Sequence, residues 1–449
     1  MKYLIFTAVL CSVPLMSAVL AVDKRMMRLA MWGLLFPLLL LDSTAINFFS
    51  FEDYRGTSRG MEVSVIYLIA LAVLLAKLFM HGFRSPFPTL GSKLYLCYIL
   101  LSLPSFSNAD NQLYAFCEIW KMLMIYLVYL AVYYYLLDSQ GDYKTFIYGL
   151  IIVTVCIFYA VVRQHFSGVY QVRAQLPHQN SLSMFMSPLA LLFLSYFLNR
   201  KGIFKKLIIF FAFVLATGAL LRTYSRGAIA CFPLGGAVTA GLSLLLDWKT
   251  QKFQILGGLG IVAILIGLAF TPRIIERFET APESSGQNRK NLASAAMNMI
   301  RDQPLYGVGI NNWGIKINPP YQYSHHRDPS KGYSADFKDG IVETIYLLVC
   351  AECGIPCFLM LLTMFGYYWW VAFRCSIKLR KTPYFYIPVG IIGGLTIIYL
   401  QSILEWVLKQ QVNFIELLIL YAFLDYLNKN TKAIKQRCLE YPHQVEKIA

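Results

Sequence analysis

Apolar runs of about 17–25 residues recur along most of this chain, and a run of that length crosses a hydrocarbon core of about 30 Å as an α-helix. Charged residues make up only 14% of the 449 residues, against roughly 25% in a soluble domain. The mean hydropathy is +0.55. The short alternating strands that a closed membrane barrel needs are not evident. The pattern predicts an all-α polytopic membrane protein.

The runs predict twelve or thirteen transmembrane helices. The first run, Met1 to about Leu20, follows a single Lys and could be a cleaved signal peptide. A second span follows closely, so we expect a retained helix. The further spans are predicted at 28–46, 61–80, 93–107, 114–137, 144–164, 182–198, 207–223, 227–246, 253–270, 342–373, 384–404 and 412–427.

The loop charges predict an orientation for these spans. The basic stretches "DKRMMR", "RSPFPTLGSK", "NRKGIFKK", "DWKTQK", "RCSIKLRK" and "KNTKAIKQR" fall on one side, and short Lys/Arg-rich loops are cytoplasmic. This topology accounts for most of the net charge of +16. A nucleic-acid partner is not expected, because no basic domain interleaved with aromatic residues is present.

One large polar stretch interrupts the apolar pattern. Residues 1–270 are predicted to hold helices 1–10, and 271–341 to form a large extracytoplasmic loop with a short amphipathic helix at about 288–300. Residues 342–427 hold the last spans, and 428–449 form a basic cytoplasmic tail. A membrane enzyme can handle a water-soluble group in such a loop, so the chemistry is expected there and on the same side of the membrane.

Cations gather on the predicted external side: Arg173, Arg222, Arg226, Arg289 and Lys409. Arginine near a membrane span usually faces a protein interior or an aqueous cavity, and its planar fork suits phosphate oxygens. The arginines therefore predict a pyrophosphate site. Other interpretations stay open: Arg222 could extend to the interface, Arg173 could hold its own loop, and Arg289 could be a solvated helix residue.

Four stretches occur in a specific order: "VRAQLPHQNSLSMF", "TYSRGA" between two spans, "NRKNLASAAMNMIRDQPLYGVGINNW" and "VETIYLLVCAECGI". This set resembles the O-antigen ligase and O-antigen polymerase superfamily over roughly residues 165–360. The P-L-x-G-x-G-x-N turn after an Arg-bearing helix and the "SRG" after a span are the most specific parts.

The resemblance implies an integral membrane glycosyltransferase of the GT-C type in the bacterial inner membrane, with its site facing the periplasm and no cofactor. Such enzymes move a glycan from undecaprenyl pyrophosphate to an acceptor hydroxyl. The acceptor is lipid A–core in lipopolysaccharide ligases and another lipid-linked glycan in polysaccharide polymerases. Arg226 and Arg289 match the two arginines assigned to the pyrophosphate, and Arg173 and Asn180 match a neighbouring segment.

The chain departs from the family at the expected base. Ligases commonly have His-Asn-x-Tyr-Leu at the start of the span after the loop, and here the aligned residues are Glu343 to Leu347. A carboxylate at Glu343 could accept the acceptor's proton. His325 or His326 could instead act from the loop, or could be ordinary loop residues. The base is therefore Glu343 or one of this His pair.

Other polar residues in the external regions give less specific indications. The loop's Asp328, Asp336 and Asp339 are spaced too irregularly to favour a metal site, and the C-x2-C-x3-C run at 350–357 is more typical of helix packing. Glu405 and Lys409, at i and i+4, could pair with each other or contact the acceptor.

Two classes of function fit these features. A lipid-linked glycan transferase, ligase or polymerase, needs external arginines and an enlarged external loop. A transporter or flippase for a lipid-linked saccharide would also need arginines in a cavity. Transporters commonly show related halves and broken helices near the bilayer midplane, whereas the polar groups here gather on one face. The pattern favours the transferase, which we expect to be ligase-like, with a polymerase of the same superfamily as the alternative that the sequence does not distinguish.

Overall fold

A computed structural model describes residues 2–36, 45–51, 54, 56–200, 202–279, 283–318, 320–324 and 340–441. These residues form fifteen α-helices and one pair of β-strands. The elements are α1 Lys2–Val22, α2 Lys24–Leu35, β1 Ala45–Ser50, β2 Gly60–Ser64, α3 Val65–His81, α4 Leu90–Ser102, α5 Gln112–Asp138, α6 Tyr143–Phe166, α7 Gln179–Asn199, α8 Ile203–Arg222, α9 Arg226–Leu246, α10 Thr250–Glu279, α11 Glu283–Asp302, α12 Trp313–Lys316, α13 Ile345–Lys378, α14 Tyr386–Leu404 and α15 Gln411–Glu440.

The predicted all-α membrane-type fold is confirmed. Within the described residues, seven helices are long and apolar enough to cross a membrane, namely α5 to α9, α13 and α14. Two shorter apolar helices, Phe6–Val22 and Val65–His81, lie before them. Each of the seven long helices overlaps a predicted span. The full count of twelve or thirteen membrane crossings stays a prediction.

The N-terminal quarter differs from the sequence prediction. The span predicted at 28–46 begins as α2, but α2 ends at Leu35 and Ala45–Ser50 forms β1. This strand pairs antiparallel with β2, Gly60–Ser64. Isoleucine and phenylalanine in "AINFFS" favour strand as much as helix. The Trp120 indole on α5 donates a 3.1 Å hydrogen bond to the Glu62 carbonyl, which fixes the sheet to the bundle.

Helix α7 lies at the centre of the bundle, and nearly all of it is buried against α8, α9 and α14. Glycines allow the close approach. A Cβ built on Gly390 of α14 would lie 2.6 Å from the Leu192 Cα of α7, and one on Gly394 would lie 2.7 Å from the Pro188 Cβ. Small residues at such crossings let helix backbones pack closely in membranes. This packing fixes the C-terminal end of α14 beside the N-terminal end of α7.

The basic connections meet at one end of the bundle. Contacts between them join Arg28 to Asp142, Arg84 to Asp138, Arg200 to the Pro383 carbonyl, Lys252 to Asn199, Lys429 to the Pro88 carbonyl and Arg437 to Gln140. The chain connections α6–α7, α8–α9 and α14–α15 lie at the other end, together with the segment that leads into α13. The candidate site is built there.

Candidate functional site

An arginine lies between two carboxylates at this end. The Arg289 Nη2 on α11 forms an ion pair with the Glu343 Oε2 and lies 3.7 Å from the Glu405 Oε1. The side chains of Arg289 and Glu343 are 39% and 36% exposed, whereas that of Glu405 is 8% exposed. The Arg289 side chain is therefore partly open to solvent, and one of its two carboxylate neighbours is buried.

Helix ends bring the two carboxylates together. Glu405 directly follows α14, and Glu343 lies two residues before α13. The Thr344 hydroxyl donates a 3.3 Å hydrogen bond to the Ser402 carbonyl, which joins the start of α13 to the end of α14. On the other side, a Cβ on Gly227 would lie 3.2 Å from the Leu404 Cδ1, so the start of α9 packs directly against the end of α14.

Glu405 titrates near neutral pH. Burial raises its pKa to about 7, and the neighbouring Glu343 carboxylate adds to the rise. A hydrogen bond with Asn180 and the charges of Arg289 and Arg226 act in the opposite direction. A carboxylate removed from water with only partial compensation by cations behaves in this way. Residues from α7, α9 and α11 thus converge on Glu405.

The structure brings together five of the predicted site residues: Arg226, Arg289, Asn180, Glu343 and Glu405. Asn180 lies in the first turn of α7, where the His178 Nδ1 accepts a 3.2 Å hydrogen bond from its backbone N–H. Its carbonyl lies 3.4 Å from the Gln401 Nε2 of α14. These contacts fix Asn180 against the end of α14.

The other predicted arginines make no ion pair with the two carboxylates of this cluster in the part of the chain that the structure describes. The Arg173 Nη1 donates to the Pro177 carbonyl at 3.2 Å, so it holds its own loop. Arg222 lies in the last turn of α8. His325 and His326 lie outside the described residues.

The structure contradicts the predicted pairing of Glu405 with Lys409. The Lys409 Nζ lies 3.1 Å from the Glu352 Oε2 and 3.7 Å from the Glu118 Oε1, and Glu405 faces Arg289 instead. The i, i+4 argument applies to a helix, but Glu405 has extended backbone at φ −146° and ψ 143°. The two side chains therefore point in different directions.

A buried ion network underlies the site, and sequence reasoning missed it. Besides Lys409 it contains Glu118 and Lys121 on α5 and Glu352 on α13, all of them buried. The Lys121 Nζ lies 2.7 Å from the Glu118 Oε2, which also accepts a 2.8 Å hydrogen bond from the Thr57 hydroxyl. The two acids balance the two lysines. Charged residues inside apolar spans were the available signal.

The glycine-rich turn after α11 docks into a break in α13. The break lies at Gly354, which has φ 82° and precedes Pro356 by two residues. It leaves backbone groups of α13 without helical partners. The Val308 N–H donates to the Ala351 carbonyl at 2.8 Å, and the Gly309 N–H donates to the Glu352 carbonyl at 3.1 Å. The turn therefore replaces the bonds that the helix loses.

The two asparagines of the same turn bind the N-terminal part of the chain. The Asn311 Oδ1 accepts a 2.8 Å hydrogen bond from the Thr57 N–H, and its Nδ2 donates to the Ser58 carbonyl at 2.8 Å. The Asn312 Oδ1 accepts a 2.9 Å hydrogen bond from the Asn111 N–H. The turn thus joins the β1–β2 connection, the start of α5 and α13.

No group of three or more His, Cys, Asp or Glu with the geometry of a metal site occurs among the described residues. The three cysteines of the 350–357 run lie buried on α13 with free thiols. The loop aspartates, Asp328, Asp336 and Asp339, lie outside the described residues.

The fold and the cluster define an all-α polytopic membrane protein with cations and carboxylates at the helix ends of one face. The model of the O-antigen ligase family matches residues 211–362. This match supports membership of the chain in the O-antigen ligase superfamily, a family of glycan-transferring membrane enzymes, and the predicted resemblance is confirmed. No curated protein matches the chain. The matched stretch contains Arg226, Arg289 and Glu343 and ends before Glu405.

Proposed function

We propose that this protein transfers a glycan from undecaprenyl pyrophosphate to an acceptor hydroxyl at the outer face of the bacterial inner membrane. The observation that carries the proposal is Arg289, partly exposed between Glu343 and Glu405, with Arg226 beside it. A cation site next to carboxylates suits a reaction with an anionic leaving group and a proton to remove. The cluster lies at the end of the bundle opposite the basic connections, which favours the periplasmic side.

The arginines would hold the pyrophosphate of the donor. The partly exposed Arg289 side chain can form hydrogen bonds with phosphate oxygens, while Glu343 stays in contact with the guanidinium and orients it. Arg226 would supply a second positive charge from the start of α9. Fixed cations that face the developing charge on the leaving group lower the barrier without reorganisation. The proposal therefore needs no divalent metal ion.

The reaction would be a single displacement. The acceptor oxygen bonds to the anomeric carbon while the bond from that carbon to the phosphate oxygen breaks, and the electron pair leaves with undecaprenyl pyrophosphate. The acceptor's proton passes to a carboxylate. Among the described residues, the candidates are Glu343, in the place of the family's histidine, and Glu405, and His325 or His326 of the loop is the alternative base. The ligase and the polymerase use this same step and differ in the acceptor.

A reconstituted assay tests the proposal. Purified protein would be mixed with an undecaprenyl-pyrophosphate-linked glycan and EDTA, and the release of undecaprenyl pyrophosphate would be followed with and without lipid A–core or a second lipid-linked glycan. We expect release that depends on the acceptor and persists in EDTA. The acceptor that supports release distinguishes ligase from polymerase. Flipping of the donor in liposomes without any release would favour the transporter interpretation.

Arginine variants test the pyrophosphate site. We expect Arg289→Ala and Arg226→Ala each to lower kcat about 10²–10³-fold, the usual cost of removing one group that stabilises the leaving charge. Arg301→Ala is the matched control, because Arg301 lies on the same helix as Arg289 and is exposed. Equal rates for wild type, both site variants and the control would contradict the pyrophosphate assignment.

A further inference from the structure

We infer that Glu405 is the general base of the transfer and that it contacts the acceptor hydroxyl and takes its proton. The inference rests on the proposed function and deepens it. Sequence alignment with the family points to Glu343 instead, because that residue takes the place of the family's histidine. The geometry of the two carboxylates separates their roles.

Glu343 has the geometry of a counter-ion. One of its oxygens is in direct contact with the Arg289 guanidinium, and the side chain is about a third exposed. A carboxylate oxygen already bound to a guanidinium has less electron density to offer a proton. Water can also reach this carboxylate and compete with an acceptor hydroxyl. These properties suit a group that orients Arg289 before the donor binds.

Glu405 has the geometry of a base. Its side chain is buried, and the Arg289 Nη2 lies 3.7 Å from its Oε1 rather than in direct contact. The lysine on its own connection, Lys409, faces Glu352 and Glu118 and does not compensate it. The protein therefore holds this carboxylate buried, and the neighbouring arginines compensate its charge only in part.

The charged and polar groups that face Glu405 come from every element around it. Glu343 precedes α13, Arg289 lies on α11, Arg226 on α9 and Asn180 on α7. Burial raises the pKa of Glu405 most, Glu343 raises it further, and the other three residues lower it. The resulting pKa is about 7. A general base works best when its pKa lies near the operating pH, because it is then both ionised and able to hold the proton. Paired carboxylates in unequal environments commonly divide their roles in this way.

The proton and the electrons balance in the resulting step. The acceptor O–H bond breaks as its proton bonds to the Glu405 carboxylate, and the acceptor oxygen bonds to the anomeric carbon. The bond from that carbon to the phosphate oxygen breaks, and its electron pair stays on the pyrophosphate. Glu405 ends as a neutral carboxylic acid and releases the proton to water before the next turnover.

The test is the pH dependence of kcat/KM for acceptor-dependent release of undecaprenyl pyrophosphate, measured from about pH 5 to 9, because this ratio reports the pKa values of the free enzyme. The ionised form of Glu405 is the active one, so the wild-type kcat/KM should rise with pH up to about 7 and then level off. We expect Glu405→Gln to lower kcat about 10²–10⁴-fold and to abolish the increase of kcat/KM with pH, which is called the rising limb below. Glu405→Asp should keep the limb at a reduced rate.

Three comparisons make the test specific. Glu343→Gln should keep the rising limb, and Glu440→Gln, the same exchange on an exposed residue of α15, should behave as wild type. Binding of inorganic pyrophosphate by Glu405→Gln should stay within about threefold of wild type, because the variant keeps both arginines. Thermal unfolding of each variant in detergent reports whether it is folded.

Other results would overturn the inference. A Glu405→Gln enzyme with a near wild-type kcat and an intact limb would exclude Glu405, and loss of the limb in Glu343→Gln would assign the proton to that residue. If wild-type protein binds the donor but no acceptor provokes release, the proposed function itself fails, and the role of Glu405 fails with it. Acceptor-dependent release by the wild-type protein shows whether the proposed function holds, independently of the Glu405 variants.

Discussion

Lys409 is a buried lysine that faces two buried glutamates, one of which it shares with Lys121. It donates to Glu352 at 3.1 Å and lies 3.7 Å from Glu118. Buried ion pairs add little net stability when compared with apolar residues, but removing one partner leaves a buried charge without compensation. Replacing any single member of the network by an uncharged residue should therefore destabilise the protein.

We expect Lys409→Met to lower the free energy of unfolding by about 3–5 kcal/mol, because Glu352 and Glu118 would then share one lysine in a dry site. Thermal unfolding in detergent would measure the change. Lys432→Met, on an exposed position of α15, is the matched control and should have little effect. Addition of Glu352→Gln to Lys409→Met should recover part of the loss. Equal midpoints for Lys409→Met and its control would show that the network does not stabilise the fold.

The sequence was enough to predict the site residues that belong to the four motifs occurring in the family's order. Arg226, Arg289, Glu343 and Asn180 each lie in a stretch that resembles the family, and the structure brings them together. Glu405 was found only as a neighbour of Lys409 in the last external connection. The importance of Glu405 depends on its burial and on residues from three other helices. The spacing of residues along the sequence shows neither of these.

At the scale of elements, α13 is the helix that the site depends on most. The apolar pattern predicted one span at 342–373, and the structure has a helix over Ile345–Lys378 that is broken at Gly354. Periodicity detects the apolar run and does not detect the break, because Gly354 and Pro356 are single residues in an apolar stretch. The turn and the stretch that contains the break both belong to the predicted motifs, but the docking of one on the other was not predicted.

Gly354→Ala should destabilise the protein strongly. The residue has φ 82°, and an added Cβ would lie 2.2 Å from the Leu305 carbonyl oxygen, so the turn would have to move. The left-handed backbone alone costs roughly 1–2 kcal/mol for a residue with a Cβ. We expect a lower unfolding midpoint and loss of transfer together.

Gly366→Ala is the matched control for this change. Gly366 lies on the same helix, and a Cβ added there would have no atom within 4 Å. Alanine is a better helix former than glycine by up to about 1 kcal/mol, so the midpoint should stay equal or rise. A Gly354→Ala protein as stable as this control would contradict a role for the docked turn.

At the scale of the whole molecule, the segregation of charge predicts the orientation. The basic connections meet at one end of the bundle, and the arginine–carboxylate cluster lies at the other. Because short basic loops stay in the cytoplasm, the end of α15 should also be cytoplasmic. Composition and loop charge were enough to predict the class of fold and this segregation of charge. They did not predict the β-strand pair, which depends on contacts with α5.

Fusions to the C-terminus of the full chain measure the orientation. A green fluorescent protein placed there should fluoresce in intact bacteria, and an alkaline phosphatase at the same position should stay inactive. The opposite pair of results would place the arginine–carboxylate cluster in the cytoplasm. It would then exclude an acceptor on the outer face of the membrane.

The turn docked on α13 also sets an order of events during synthesis. The ribosome makes Pro304–Gly309 before Ala351 and Glu352, whose carbonyls the turn needs. Glu405 follows Arg289 by roughly a hundred residues, several seconds at about 5–20 residues per second. Throughout that interval the arginine has no buried carboxylate beside it. A chain still being inserted therefore has no complete site, and the proposed transfer should start only after the last helices have entered the membrane.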